Sequence, residues 1–222
     1  MCGRFAFYSP AEAAAALFGA SASLDVAPRY NIAPTQDIAA IRSDKAGNRE
    51  LAMLRWGLVP SWAKDPAIGN RMINARAETA ATKPAFRSAF RDRRSLVLAD
   101  GFYEWQKVER AKQPFYIRMR DGRPFAFAGL WEEWDGPNGE TVDSCTILTT
   151  EPNDVVRAVH DRMPVILARK EYSVWLDPQD REVDKLQSLL QPYPPDQMEA
   201  YPVSKRVNNP ANEGPACVAP LQ

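Results

Sequence analysis

Histidine occurs once in this chain of 222 residues, at position 160. A lone imidazole excludes any mechanism that needs two. With three scattered cysteines and no CxxC or HExxH, the sequence offers no metal centre, and no cofactor is expected. The three cysteines, Cys2, Cys145 and Cys217, cannot all pair with one another, which fits a reducing compartment. Apolar runs fall far short of the ~18 residues a membrane span needs, so no membrane association is expected. The opening MCGRFAFYSP lacks an apolar stretch and a small-residue cleavage site, so no secretory signal and a cytoplasmic location are expected. Excess charge is absent too: 28 Lys and Arg balance 28 Asp and Glu. That excludes coating nucleic acid by bulk charge but leaves room for a local basic patch. Nothing repeats and no long linker interrupts the chain, so one domain over 1–222 is expected, with an extended tail from about 192.

Turn formers are what the sequence has in quantity, with 19 Pro and 11 Gly. They argue for strands and loops rather than long helices. Ser9, Pro10 and Glu12 read as a helix start before the Ala-rich run 11–18, and Gly19 as its stop. Residues 21–35 read as loop. Strands are expected at 36–42 and 50–59, then at 95–99, 102–107, 114–119, 125–131 and 144–150, with turn signals between them. Helix is expected from about 75, interrupted by Pro84, and again at 152–159, 169–176 and 180–191; PVIL at 164–167 reads as a short strand. The fold class is α+β, with a curved or barrel-like, mostly antiparallel β core and flanking helices.

Charge is unevenly placed. Residues 70–95 carry seven basic groups against Glu78 and Asp92, while residues 170–200 are acidic. The basic stretch reads equally as a phosphate-binding patch or a solvated helix face.

Cys2 carries the most chemical information. Methionine ahead of so small a side chain is normally removed, and the chain then starts with an α-amine (pKa roughly 7.7–8.0) beside a thiol (roughly 8.5). The amine condenses with an aldehyde, and the neighbouring thiol closes a five-membered thiazolidine on the imine. His160, in VHDRMP, stands in loop-like context suited to proton transfer. Glu104, in ADGFYEW, shares a strand face with Phe102 and Gln106, and aromatic neighbours would raise its pKa toward general-acid range. Asn74 and Arg76, in INARAET, stand at a loop-to-helix junction where amides and a guanidinium can receive a phosphate. Tryptophans in such patterns, here Trp56, Trp62, Trp105 and Trp131, are more often core than stacking platforms for bases, and pattern alone does not separate the two roles.

Eight segments appear in a fixed order: MCGRF (1–5), RYNIAPT (29–35), WGLVPSWAKD (56–65), INARAET (73–79), ADGFYEW (99–105), AGLW (128–131), HDRMP (160–164) and VSKRVNN (203–209). In this ordered set the chain resembles the SOS-response-associated peptidase (SRAP) family of abasic-site-processing proteins, over nearly its whole length. The resemblance implies a β-barrel-like fold with a basic cleft. It implies a sensor of abasic sites in single-stranded DNA that crosslinks to them through Cys2 and shields the lesion as a monomer, nucleoid-associated when bound. Cys2 would be the nucleophile, Asn74 the contact to the abasic sugar, and Glu104 and His160 the proton-handling pair. Arg76 and Arg162 would contact phosphate; Arg4, Asn31, Trp62 and Thr149 would line the cleft. Weak strand-cleaving lyase activity and self-removal of Met1 are expected alongside.

Two positions depart from the family pattern. Ala63 stands where some members carry a second bulky aromatic, and Ser95 where an RRCL version has cysteine. Two other readings remain open at this stage. One is an N-terminal-nucleophile hydrolase or peptidase using Cys2. The other is a non-catalytic reader of single-stranded nucleic acid.

Overall fold

The computed structural model describes residues 2–20, 24–44, 46–109 and 111–221, without the side chains of 11, 13, 15 and 17. Met1, whose removal the sequence predicts, lies outside them. In chain order the strands are β1 (Phe5–Phe7), β2 (Arg29–Ile32), β3 (Asp37–Ser43), β4 (Arg49–Trp56), β5 (Asn74–Arg76) and β6 (Arg94–Ala99). They continue with β7 (Gly101–Val108), β8 (Ala111–Met119), β9 (Phe125–Asp135), β10 (Thr141–Thr150), β11 (Met163–Pro164) and β12 (Met198–Pro202). The helices are short: α1 (Ala11–Phe18), α2 (Ala77–Ala80), α3 (Arg87–Asp92), α4 (Asp154–Arg157), α5 (Tyr172–Leu176) and α6 (Val183–Ser188).

Five strands close on themselves. The order runs β10, β4, β3, β6, β9, and β9 pairs back onto β10 from Thr141↔Asp135 to Ile147↔Gly129. Closure leaves these five without an open edge along the ring. Pairing is antiparallel except where β10 meets β4 and β5. A second sheet, ordered β12-β8-β7-β1-β2, packs beside the barrel. Phe5 of β1 joins the two: its ring lies 5.2 Å from that of Trp56 and 5.8 Å from that of Phe127, both edge-on.

The second sheet is apolar on both faces, and β7 shows why. Phe102 enters the main core, whereas Tyr103 joins Tyr116, Val203 and Val207 on the other face, as alternation predicts. Gly101, which starts this strand, is required by a close approach: a Cβ there would sit 2.3 Å from the Tyr116 ring.

Several expectations need correction. Residues 29–32, read as loop, form β2 because β1 offers a partner, with Phe5 opposite Ile32. The tail from 192 is not simply extended chain. It contains β12, which pairs along β8 from Met198↔Met119 to Pro202↔Phe115, and three 3-10 turns. Ser9 donates its hydroxyl to Asp100 Oδ1 at 2.5 Å, so its side chain serves the loop after β6. The stretch 70–95 is not one solvated basic face. Arg94 is buried and donates to the carbonyls of Phe90, Arg91, Trp175, Asp177 and Asp180. Arg93 pairs with Glu132 and Arg91 with Asp92. Arg71, Arg76, Lys83 and Arg87 remain exposed.

Candidate active site

The C-terminal end of β10 organises the site. Thr149 there is paired with Arg76 of β5 on one edge and with Pro164 of β11 on the other. INARAET and HDRMP, far apart in sequence, therefore flank one strand end. Trp56 fixes the approach to β5 by donating Nε1–H to the Ile73 carbonyl at 2.8 Å.

The second sheet supplies the facing groups. Phe5 lies opposite Phe102, and the ladder extends one step as Tyr103 donates its N–H to the Arg4 carbonyl at 2.9 Å. The same register carries Cys2 back along β7 toward Glu104. Asn74 reaches across from β5 and donates its amide N–H to the Cys2 carbonyl at 2.7 Å. Gln106, on the face of β7 that carries Glu104, donates to the Ala158 carbonyl at 2.8 Å and draws in the segment before His160. His160 ends the turn begun by α4, whose N-cap Asn153 accepts from the Val156 N–H. Its Nε2 then stands 3.8 Å from Glu104 Oε2. Cys2, Asn74, Glu104 and His160 thus converge from four separate segments.

Burial sets the protonation of three of them. Cys2 is fully buried, which pushes its thiol up, and the Glu104 charge pushes it further. Glu104 is 3% exposed, and burial raises its carboxyl to about 7, with Asp161 adding to the rise. Burial lowers the His160 pKa. At neutral pH the thiol is protonated, the imidazole neutral, and the carboxyl within its titration range. That last state suits a group that must both give and take a proton.

His160 Nδ1 lies 3.0 Å from the Arg162 backbone nitrogen and 2.9 Å from Asp161 Oδ1. The two contacts demand opposite states: the amide needs a lone pair on Nδ1, the carboxylate a proton. For the neutral imidazole that the lowered pKa favours, Nδ1 accepts from Arg162 and the proton sits on Nε2, facing Glu104. Among the described residues no three His, Cys, Asp or Glu side chains converge as a metal-ligand set. No helix among them is long and apolar enough to cross a membrane.

A family profile described as SOS response associated peptidase (SRAP) matches residues 1–210. The chain belongs to the SRAP family. Abasic site processing protein YoqW of Bacillus subtilis (strain 168) is 46% identical over 222 residues, covering 98% of this chain and 99% of that one. Abasic site processing protein YedK of Escherichia coli (strain K12) is 30% identical and is matched over the full length of both chains. A crystal structure of a protein from Bacteroides thetaiotaomicron superposes with a TM-score of 0.90 at 26% identity, over all of both chains.

The remaining SRAP motif residues are placed less uniformly than the central four. Arg76 is exposed at the end of β5, and the α2 that follows is only four residues long. Asn74 spends its amide on Cys2 rather than on capping that helix. Arg162 grips Glu78 through both guanidinium nitrogens, at 2.6 and 2.9 Å, and donates to the Thr149 carbonyl at 2.6 Å. Thr149 itself is buried. Trp62 is 59% exposed on the loop after Gly57. Its neighbour Ala63 is packed under Trp134, whose Nε1–H it accepts at 2.7 Å. Ser95 is buried against Gly129 of AGLW, where a Cβ would meet its Oγ at 2.6 Å.

Arg4 and Asn31 form a latch. Arg4 donates to Asn31 Oδ1 and to the Val207 carbonyl, both at 2.7 Å. Asn31 is fully buried and donates to the carbonyls of Val207, Asn209 and Asn212. Pattern alone gave no sign of this job, nor of the Glu78 pairing, because both join segments far apart in sequence.

Proposed function

We propose that this chain senses abasic sites in single-stranded DNA and crosslinks to them covalently through Cys2 after Met1 is removed. The observation that carries the reading is the buried Glu104 carboxyl on the Cys2 side of β7, with His160 Nε2 3.8 Å from it and Asn74 anchored on the Cys2 carbonyl. The names of the SRAP relatives, abasic site processing proteins, support the choice of DNA lesion.

The chemistry follows from the protonation states. A ring-opened abasic site presents an aldehyde at C1. The α-amine of Cys2 adds to it, and the resulting carbinolamine loses water to give an imine. Glu104 delivers the proton on which that water departs. The Cys2 sulfur then bonds to C1 while the thiol proton passes to nitrogen, closing the thiazolidine. Burial keeps the thiol protonated and a poor first nucleophile, so the amine leads. The same fact disfavours direct thiolate attack on an amide, as a peptidase would require. An imine that escapes capture undergoes β-elimination, so weak lyase activity is expected beside the crosslink. The protein acts as a monomer without metal or cofactor, in the cytoplasm or on the nucleoid.

The test is incubation with single-stranded DNA bearing one abasic site, followed by denaturing electrophoresis. Wild type should give a heat-stable adduct, and intact DNA none. Cys2→Ser keeps the amine and should give only an imine that survives after borohydride reduction. A stable Cys2→Ser adduct without reductant would sink the thiazolidine step.

A further inference from the structure

Glu78 belongs to none of the groups placed around Cys2, yet it is bound to them by an unusual contact. Its carboxylate takes both Nη1 and Nη2 of Arg162, at 2.6 and 2.9 Å, across the end of β10. This fork-to-fork geometry is the most directional of ion pairs. The carboxyl is held below its ordinary range by the Arg162 hydrogen bond. The same guanidinium donates to the Thr149 carbonyl at 2.6 Å, so the Arg162 side chain is fixed at three points. Its backbone N–H, in turn, is the group that meets His160 Nδ1.

Glu78 and Arg162 sit on opposite flanks of Thr149. Glu78 follows Asn74 and Arg76 on the β5 side; Arg162 follows His160 on the β11 side. The pair therefore spans the site and joins the segment bearing Asn74 to the segment bearing His160. The geometry points to Glu78 as a positioning residue: by clamping Arg162 it holds the Arg162 amide on His160 Nδ1 and so keeps the imidazole proton on Nε2, facing Glu104. Without the clamp the loop relaxes, and Asp161, 2.9 Å from Nδ1, competes for the opposite tautomer. The groups that bear on His160 include the N-terminal amine, which lowers its pKa, Glu104 from β7, Lys112 from β8, and Asp161 and Arg162 from its own loop. Glu78 acts on it only through Arg162. The consequence for turnover rests on the crosslinking function proposed above; the consequence for the tautomer does not.

The single histidine makes the test direct, because the long-range nitrogen–proton spectrum of the imidazole contains one residue. In wild type the spectrum should show Nε2 protonated and Nδ1 carrying the lone pair. Glu78→Ala and the milder Glu78→Gln should both populate the Nδ1–H tautomer, Ala more than Gln. Glu78→Asp, which keeps the charge, should recover part of the wild-type signal. Adduct formation should slow about 10-fold in Glu78→Ala, the scale on which supporting groups act on their first-contact partners, while affinity for abasic single-stranded DNA is kept. Arg162→Lys, which keeps the backbone amide but loses the fork, should shift the tautomer in the same direction. An unchanged tautomer in folded Glu78→Gln and Arg162→Lys would overturn the inference. So would faster adduct formation and tighter DNA binding in Glu78→Gln, since Glu78 would then be a competitor for Arg162 rather than its support. A shifted tautomer in a protein whose wild type forms no adduct would leave the clamp standing and remove the crosslinking reading.

Discussion

The Asn74 side chain donates one N–H to the carbonyl oxygen of Cys2, while its own Oδ1 is buried with no hydrogen-bond partner among the described residues. An unpaired buried acceptor is costly to keep, so its retention beside Cys2 favours a role toward the sugar hydroxyl of the lesion. Asn74→Asp removes the donor and sets a charge against the Cys2 carbonyl. Adduct formation should slow by about 10-fold or more, on the scale of losing one hydrogen bond to a group that matters for alignment. A time course at saturating DNA checks this; an unchanged rate would assign Asn74 to packing.

Glu104→Gln keeps shape and removes the titratable proton. Adduct formation should slow by about 10²-fold, with DNA affinity little altered. The wild-type rate should decline above pH 7, where Glu104 loses the proton it delivers, and the variant should lack that limb.

Stability carries the same signature with a definite sign. Burial raises Glu104 to about 7, above its unfolded value, so the protonated form is favoured in the fold and its contribution is lost as pH rises through 7. Wild type should lose more melting temperature between pH 6 and pH 8 than Glu104→Gln. Parallel curves would mean that Glu104 titrates well below 7.

The latch at Asn31 predicts a stability effect without a chemical one. Asn31→Ala removes the amide bonds to the Val207, Asn209 and Asn212 carbonyls, which keep only their contacts to Arg4, the Asn212 N–H and the Cys217 thiol, and it leaves one Arg4 donor unpaired. The cost should be about 2 kcal/mol, or roughly 6 °C in Tm, with faster amide exchange in the tail.

Binding to undamaged single strands should be weak and salt-dependent. About three phosphate contacts correspond to a slope of log affinity against log salt near −2, and Arg76→Ala should reduce it by about 0.7. No change in slope would place Arg76 off the DNA path.

The long strands were readable as apolar, β-rich runs between turn signals; in β7 both faces are buried, Phe102 in the main core and Tyr103 in the second cluster. Short strands such as RYNI at 29–32 carry no such pattern; they exist because a partner offers a ladder. The central four site residues were legible as motif members, but their spacing was not. Their meeting depends on Thr149, at the end of β10, having β5 on one edge and β11 on the other, two short strands outside the closed ring. Contacts such as Arg162 with Glu78 leave no trace in local sequence, since neither side chain is unusual in its own segment.

The latch has a bearing on how the protein is made. Arg4 stands two residues from Cys2 and is gripped by the Val207 carbonyl, so the start of the chain is secured by residues translated near its end. While the ribosome is still at work, Cys2 lacks Glu104, His160 and the tail that enclose its neighbourhood in the finished fold. On the reading proposed above, the setting of Cys2 is therefore assembled late, once Val207 has closed on Arg4 and the His160 loop faces Glu104.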